Sequence, residues 1–289
     1  MFRRIPILAV VLAVLCLVPS CSKRGASGGV VSLSPALTEL VCHLGREDRL
    51  VARSTACDWP ESVKTLPTAG DFAEPELERI LAMRPDLVVS NEFVNPKDAD
   101  SLRQAGIAVE LHRCDGFDDY RVWVARLGEL LDCREAADAE LARTDRRIAE
   151  FEAALRDRDG KPLRALYVIW DSPLIAAGAD SLPDAVGRLA GLENIVTEQK
   201  GYPSISLEFV LREQPDVVVW FAHGKDWKSN PSWQGIRAVS TDRVLVPRDD
   251  SALLRPGPRI FDGIADLQND LRAMFPEDAA APSAGDAKP

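Results

Sequence analysis

Residues 77–90 read LERILAMRPDLVVS, and residues 207–220 read LEFVLREQPDVVVW. The stretches lie 130 residues apart and agree at seven of fourteen positions: Leu77/Leu207, Glu78/Glu208, Leu81/Leu211, Pro85/Pro215, Asp86/Asp216, Val88/Val218 and Val89/Val219. Ile80/Val210 and Leu87/Val217 are conservative pairs. Ordinary composition gives roughly one identity in such a window by chance. The chain therefore carries two lobes built on one plan, and a site shared between them is where function is expected.

Outward from this repeat, strands and helices alternate. Val30–Leu33 predicts a buried strand, and Ser34-Pro35 opens a helix through His43, with proline suited to the first turn. A strand at 50–52, a helix at 75–84, a strand at 86–90, a helix at 97–105 and a strand at 108–111 follow. Such alternation of β-branched runs with helices predicts a mainly parallel sheet covered on both faces. Helices are expected at 118–131 and 134–158. The second sets Ala137, Leu141, Thr144, Ile148, Phe151 and Leu155 at steps of three and four, one apolar stripe. At 1.5 Å per residue it spans roughly 37 Å, a stiff connector between lobes that permits little relative motion. The second lobe starts afresh with a strand at 165–169 and a helix at 183–190. Ile195-Val196, the repeat at 207–220, a helix at 233–239, a strand at 244–246 and a helix at 259–274 complete it. The fold class is α/β: two similar lobes with mainly parallel sheets, joined by one long helix, with a cleft between them. The boundaries read as 30–117 for the first lobe, 118–158 for the helical layer and 163–276 for the second lobe. Residues 277–289 have the composition of a disordered tail.

The first 20 residues have the layout of an export signal: Arg3 and Arg4, an apolar run from Ile5 to Val18, then Pro19-Ser20-Cys21. Val18-Pro19-Ser20-Cys21 resembles a lipoprotein cleavage box, with Cys21 as the lipidated residue. Residues 21–29 read as a flexible tether. Without Arg3 and Arg4 the chain holds 33 basic against 45 acidic residues, a net charge of −12. Nothing here neutralises phosphates, so no nucleic-acid partner is expected.

SLSPALTEL (32–40), CDWP (57–60), the two repeat stretches, the long helix and RPGPRI (255–260) together resemble the helical-backbone, or class III, periplasmic binding proteins. These are the substrate-binding components of ABC importers for cobalamin, iron–siderophores, haem and metal ions. The chain most resembles the cobalamin-binding branch, across residues 29–275. The resemblance implies a monomer tethered through Cys21 to a membrane face in the periplasm or at the cell surface. Its implied partners are an ABC permease, the permease's ATPase and a small-molecule ligand. It implies that Glu78 and Glu208 meet permease arginines, one per lobe. Trp59, Phe72 and Tyr202 match cleft aromatics, and Arg255 matches an arginine facing polar groups of the ligand. Trp170 and Trp220 end strands of the second lobe, where a ring can face the same cleft; Trp170 is taken as a cleft residue, and core packing is the favoured reading for Trp220. Asn91 departs from the branch, which can place an aromatic there. Cobalamin is thus the implied transported ligand, with no resident cofactor. In the expected strand order Cys42 and Cys133 share a rim and form the more plausible disulfide than Cys57–Cys114; buried free thiols are the alternative.

An iron–siderophore suits Arg255 and the aromatics equally, and haem would use Tyr202 or His223 as an axial ligand. A zinc or manganese site needs more His and carboxylate ligands than His43, His112 and His223 supply, so no metal site is expected. The reading from another class is an exported α/β enzyme. No phosphate loop, nucleophile elbow or paired carboxylate–histidine motif supports it, and Asp58, Asp71 and Asp171 read as solvated loop acids.

Overall fold

Continuous β-branched runs have no polar face to give to water, and in this chain both faces of each sheet are covered. The computed structural model describes residues 28–156, 161–223 and 226–276. The export signal, Cys21, most of the tether and the tail lie outside the described residues, as do the last two positions of the expected long helix.

The first sheet runs Leu50–Arg53, Val30–Ser32, Leu87–Ser90, Ala108–Leu111 in spatial order, all parallel. Val30, Leu87 and Val89 face helices Pro35–His43 and Phe117–Leu130 through Leu37, Leu40, Trp123 and Leu127. Val31 and Val88 face helices Leu77–Met83 and Pro96–Gln104 through Ile80, Ala99 and Leu102. The second sheet is centred on Leu163–Asp171, which pairs in parallel with Val217–Trp220 and Leu192–Asn194; Val244–Leu245 lies beyond Val217–Trp220. Leu174–Ala176 is an antiparallel addition. Tyr167 and Val219 face helices Leu182–Ala190 and Ile260–Met274 on one side. Leu166, Val168 and Val218 face Val210 and two core tryptophans on the other.

The repeat holds in structure. Both helices, Leu77–Met83 and Leu207–Glu213, are seven residues long, and both strands, Leu87–Ser90 and Val217–Trp220, are four. Both helices end on a non-glycine left-handed residue, Arg84 at φ 50° and Gln214 at φ 47°. Each donates its backbone N–H to the carbonyl four residues back, Ile80 or Val210, which satisfies a terminal acceptor despite the side chain.

Three local expectations change. The bonded strand near 195 is Leu192–Asn194. The helix expected at 233–239 is a tight turn, Pro231–Gly235, and a separate short helix, Arg237–Ser240, divided at extended Ile236. A helix at Asp250–Leu254, capped by the Asp249 carboxylate accepting from the Ala252 N–H at 3.2 Å, was not expected. Of the two readings of the cysteines, Cys42–Cys133 bridge or free thiols, the structure has the second. Cys42, Cys57, Cys114 and Cys133 are free thiols, and Cys42 and Cys133 serve as small apolar fillers of one core cluster.

The connecting helix, Arg134–Arg156, buries Ala137, Thr144 and Phe151 from the expected stripe. It also buries Glu140, only 3% exposed. Its carboxylate accepts from Tyr120 Oη at 2.8 Å and from Arg143 Nε and Nη2 at 2.7 and 2.8 Å, and lies 2.8 Å from His43 Nε2. Arg143 Nη2 also donates to the Pro258 carbonyl at 3.0 Å, tying the helix to the second lobe. Burial opposes ionisation of Glu140. The hydrogen bonds from His43, Arg143 and Tyr120 outweigh it and hold the carboxyl down at about 2 against an ordinary 4.5. A carboxyl lowered on folding stabilises the fold above its ordinary value, and that contribution disappears as pH falls from 4.5 towards 2. The shift corresponds to roughly 3 kcal/mol. Glu140→Gln is expected to lower the unfolding free energy by about 3 kcal/mol at pH 7 and by far less at pH 2. Urea denaturation at the two pH values checks this; an equal loss at both contradicts it.

Candidate functional site

Loops at the carboxyl ends of strands carry the residues between the lobes, as open α/β sheets require. After Leu50–Arg53 the chain presents Asp58 and Trp59, then Phe72 at the tip of the hairpin Gly70–Asp71/Glu74–Pro75. Gly70, at φ 127°, is required there: a Cβ would lie 2.1 Å from the Glu74 carbonyl oxygen. After Leu87–Ser90 come Asn91 and Phe93, and after Ala108–Leu111 come Arg113, Cys114 and Asp115. The second lobe answers with Asp180, Ser181 and Leu182, with Lys200 to Tyr202, and with Leu254. All of these but Asp58 and Trp59 line a hollow of about 660 Å³ between the lobes, within the range of small-molecule sites.

Phe72 and Tyr202 face one hollow from opposite lobes. Phe93, 64% exposed, stands with them and was missed. The signal for it was the buried Asn91 two residues earlier. Its Oδ1 accepts from the Phe93 N–H at 3.2 Å, a local turn that presents the ring. Trp59 and Trp170 are half exposed but do not line this hollow. Trp59 lies under the Arg259 guanidinium at 4.6 Å, and the Trp170 indole donates to the Ser172 carbonyl at 2.8 Å.

Trp220 takes the core position favoured for it. Alternation along its strand puts it on the face shared with Val218, and it is 1% exposed beside Trp233 at 5.2 Å and Trp227 at 6.2 Å. It is a core residue. Arg255 differs from expectation. Its Nη1 bonds to Glu39 at 3.1 Å and to Asp58 at 2.6 Å, so the guanidinium is committed to carboxylates of the first lobe. Sequence gave no sign of Glu39, a partner 216 residues away.

The charges lining the hollow are balanced. Arg113 pairs with Asp115 at 3.1 Å, and Lys200 with Asp180 at 2.6 Å. Burial pushes the Tyr202 phenol up to about 12, with Asp115 across the gap adding to it, so Tyr202 is a neutral hydroxyl at pH 7. No described histidine lines the hollow: His43 meets Glu140, His112 meets Glu110 at 3.2 Å, and His223 is exposed elsewhere. Among the described residues no group of three or more His, Cys, Asp or Glu is arranged to hold a metal ion. Cys114 lines the hollow as a thiol whose ionisation burial opposes. Glu78 and Glu208 are exposed in the first turns of the repeat helices, with no ion-pair partner among the described residues.

The fold recurs in known proteins. The chain is 29% identical over 250 residues to a vitamin B12-binding protein of Vibrio cholerae, covering 81% of this chain and 86% of that one. It is 25% identical over 250 residues to an ABC transporter substrate-binding lipoprotein of Bacillus subtilis, covering 84% and 79%. The crystal structure of a periplasmic heme-binding protein from Pseudomonas aeruginosa superposes with a TM-score of 0.76 at 29% identity, over 86% of this chain and 92% of that one. Residues 30–250 match the periplasmic binding protein family, and the chain belongs to that family of solute receptors.

Proposed function

We propose that the chain captures cobalamin or a related corrinoid in the hollow between its lobes and delivers it to an ABC permease, acting as a binder and not a catalyst. The observation that carries this reading is a hollow walled by Phe72, Phe93 and Tyr202 whose charges are already paired. A corrinoid offers a broad apolar ring fringed by amides, which suits aromatic walls and a few polar groups. Each ring that covers it buries roughly 150–250 Å². An anionic iron–siderophore needs unpaired cations, and ferric haem favours an ionised tyrosine or a neutral histidine. Among the described residues no histidine lines the hollow, and its cations Arg113 and Lys200 are already paired. Trp59 and Trp170 form the rim in this reading, and Arg255 holds the rim in place more than it touches ligand. The cleft is preformed, so little ordering opposes binding.

The test is quenching of tryptophan fluorescence on titration with cyanocobalamin. Saturable quenching is expected, with Phe93→Ala and Tyr202→Ala each weakening affinity about tenfold, as loss of a buried ring implies. Haemin or a ferric siderophore binding while cobalamin does not would refute the assignment and leave the family intact.

Export and anchoring through a lipidated Cys21, with a monomeric receptor, complete the reading. Mass spectrometry of the mature chain is expected to find a diacylated Cys21 at its start; an unmodified residue there contradicts the anchor. The equivalent exposure of Glu78 and Glu208 on repeated helices supports their use as paired docking points for permease arginines. Glu78→Ala with Glu208→Ala is expected to leave ligand affinity within a few-fold and to abolish stimulation of the permease's ATPase. Either change alone gives a partial defect. Normal stimulation by the double variant overturns the docking role.

A further inference from the structure

We infer that Glu39 is a positioning residue that fixes the width of the cleft by pinning one of its edges; its effect on ligand release rests on the reading that the cleft holds ligand. Glu39 lies on helix Pro35–His43 of the first lobe and is 4% exposed. Arg259 of the second lobe grips it with a two-pronged bond, Nε to Oε2 at 2.9 Å and Nη2 to Oε1 at 2.8 Å. Arg255 adds a bond at 3.1 Å to the same carboxylate and reaches Asp58. Arg259 is itself held by Asp249 at 2.5 Å, and its guanidinium covers the Trp59 ring. One buried carboxylate thus sets the positions of Asp58, Trp59 and both arginines.

Among the described residues, every ion pair that crosses from the first lobe to the second ends on Glu39 or Asp58. The segment between the two arginines is also tied to the connecting helix, through the Pro258 carbonyl and Arg143. The opposite edge has no such tie. Arg113 and Asp115 pair within the first lobe, and Asp180 and Lys200 pair within the second, so these groups face each other across the hollow unbridged. Removing the Glu39 charge leaves two arginines without their shared partner, a state that is costly when buried. The segment 255–259 then loosens, Trp59 loses its cover, and bound ligand escapes faster.

Hydrogen exchange by mass spectrometry on the ligand-free chain tests the pinning. In Glu39→Gln, exchange across 250–262 is expected to rise at least tenfold, while strands 87–90 and 217–220 keep their protection. Release of cyanocobalamin, followed by recovery of tryptophan fluorescence, is expected to quicken at least tenfold, with association within threefold of the parent. Glu39→Asp and Arg259→Lys, which keep the charge and lose part of the geometry, should fall between. If Glu39→Gln does not fold, Arg259→Lys carries the same comparison. Unchanged exchange at 250–262, or exchange rising equally in both sheets, overturns the positioning role. If Glu39→Gln loosens 250–262 locally while the parent chain binds no corrinoid, the pinning stands and the ligand assignment falls instead.

Discussion

A buried carboxylate in the connecting helix holds the two halves of this receptor in one arrangement. Glu140 is expensive to desolvate, and it is stable there only because His43, Tyr120 and Arg143 together answer it. Those partners come from the first lobe, the helical layer and the long helix itself, and Arg143 continues to the Pro258 carbonyl of the second lobe. A purely apolar stripe would have seated the helix without fixing its rotation or slide. A saturated carboxylate fixes both. Each lobe has its own sheet and two core clusters, so the cleft takes its shape from how the lobes are joined.

The second constraint lies on the opposite side of the same segment. Residues 255–259 meet the connecting helix through Pro258 and the first lobe through Arg255 and Arg259. The segment is therefore held from two directions, and the aromatic hollow opens beside it. For the ligand proposed above, walls already at the right spacing lower the ordering cost of binding.

Much of this was legible in the sequence, for identifiable reasons. The repeat at 77–90 and 207–220 read directly because helix, turn and strand depend on local contacts. The turn at Arg84 and Gln214 survived without glycine because the flanking pattern repeated. The stripe from Ala137 to Leu155 read as one helix because its period is regular. Phe72 and Tyr202 followed from the resemblance. What stayed hidden depended on distance or on facing. Glu140 carries no local mark in the sequence, because its partners lie on other elements. Glu39 and Arg255 are far apart in the chain, and no local pattern announces such a pair. A strand-end tryptophan such as Trp220 faces either the cleft or the core, and only the strand's rotation decides. Phe93 was missed because the residue that presents it, Asn91, was read as a lost aromatic.

The account rests on the claim that a neutral, aromatic hollow selects a corrinoid over anionic iron chelates that relatives of the same fold hold. Ligand competition reads this most directly. The protein is incubated with equimolar cyanocobalamin, haemin and a ferric siderophore, desalted, and its absorption spectrum recorded. The account predicts the corrinoid spectrum alone, at about one ligand per chain. A Soret band or a siderophore charge-transfer band in its place would contradict it.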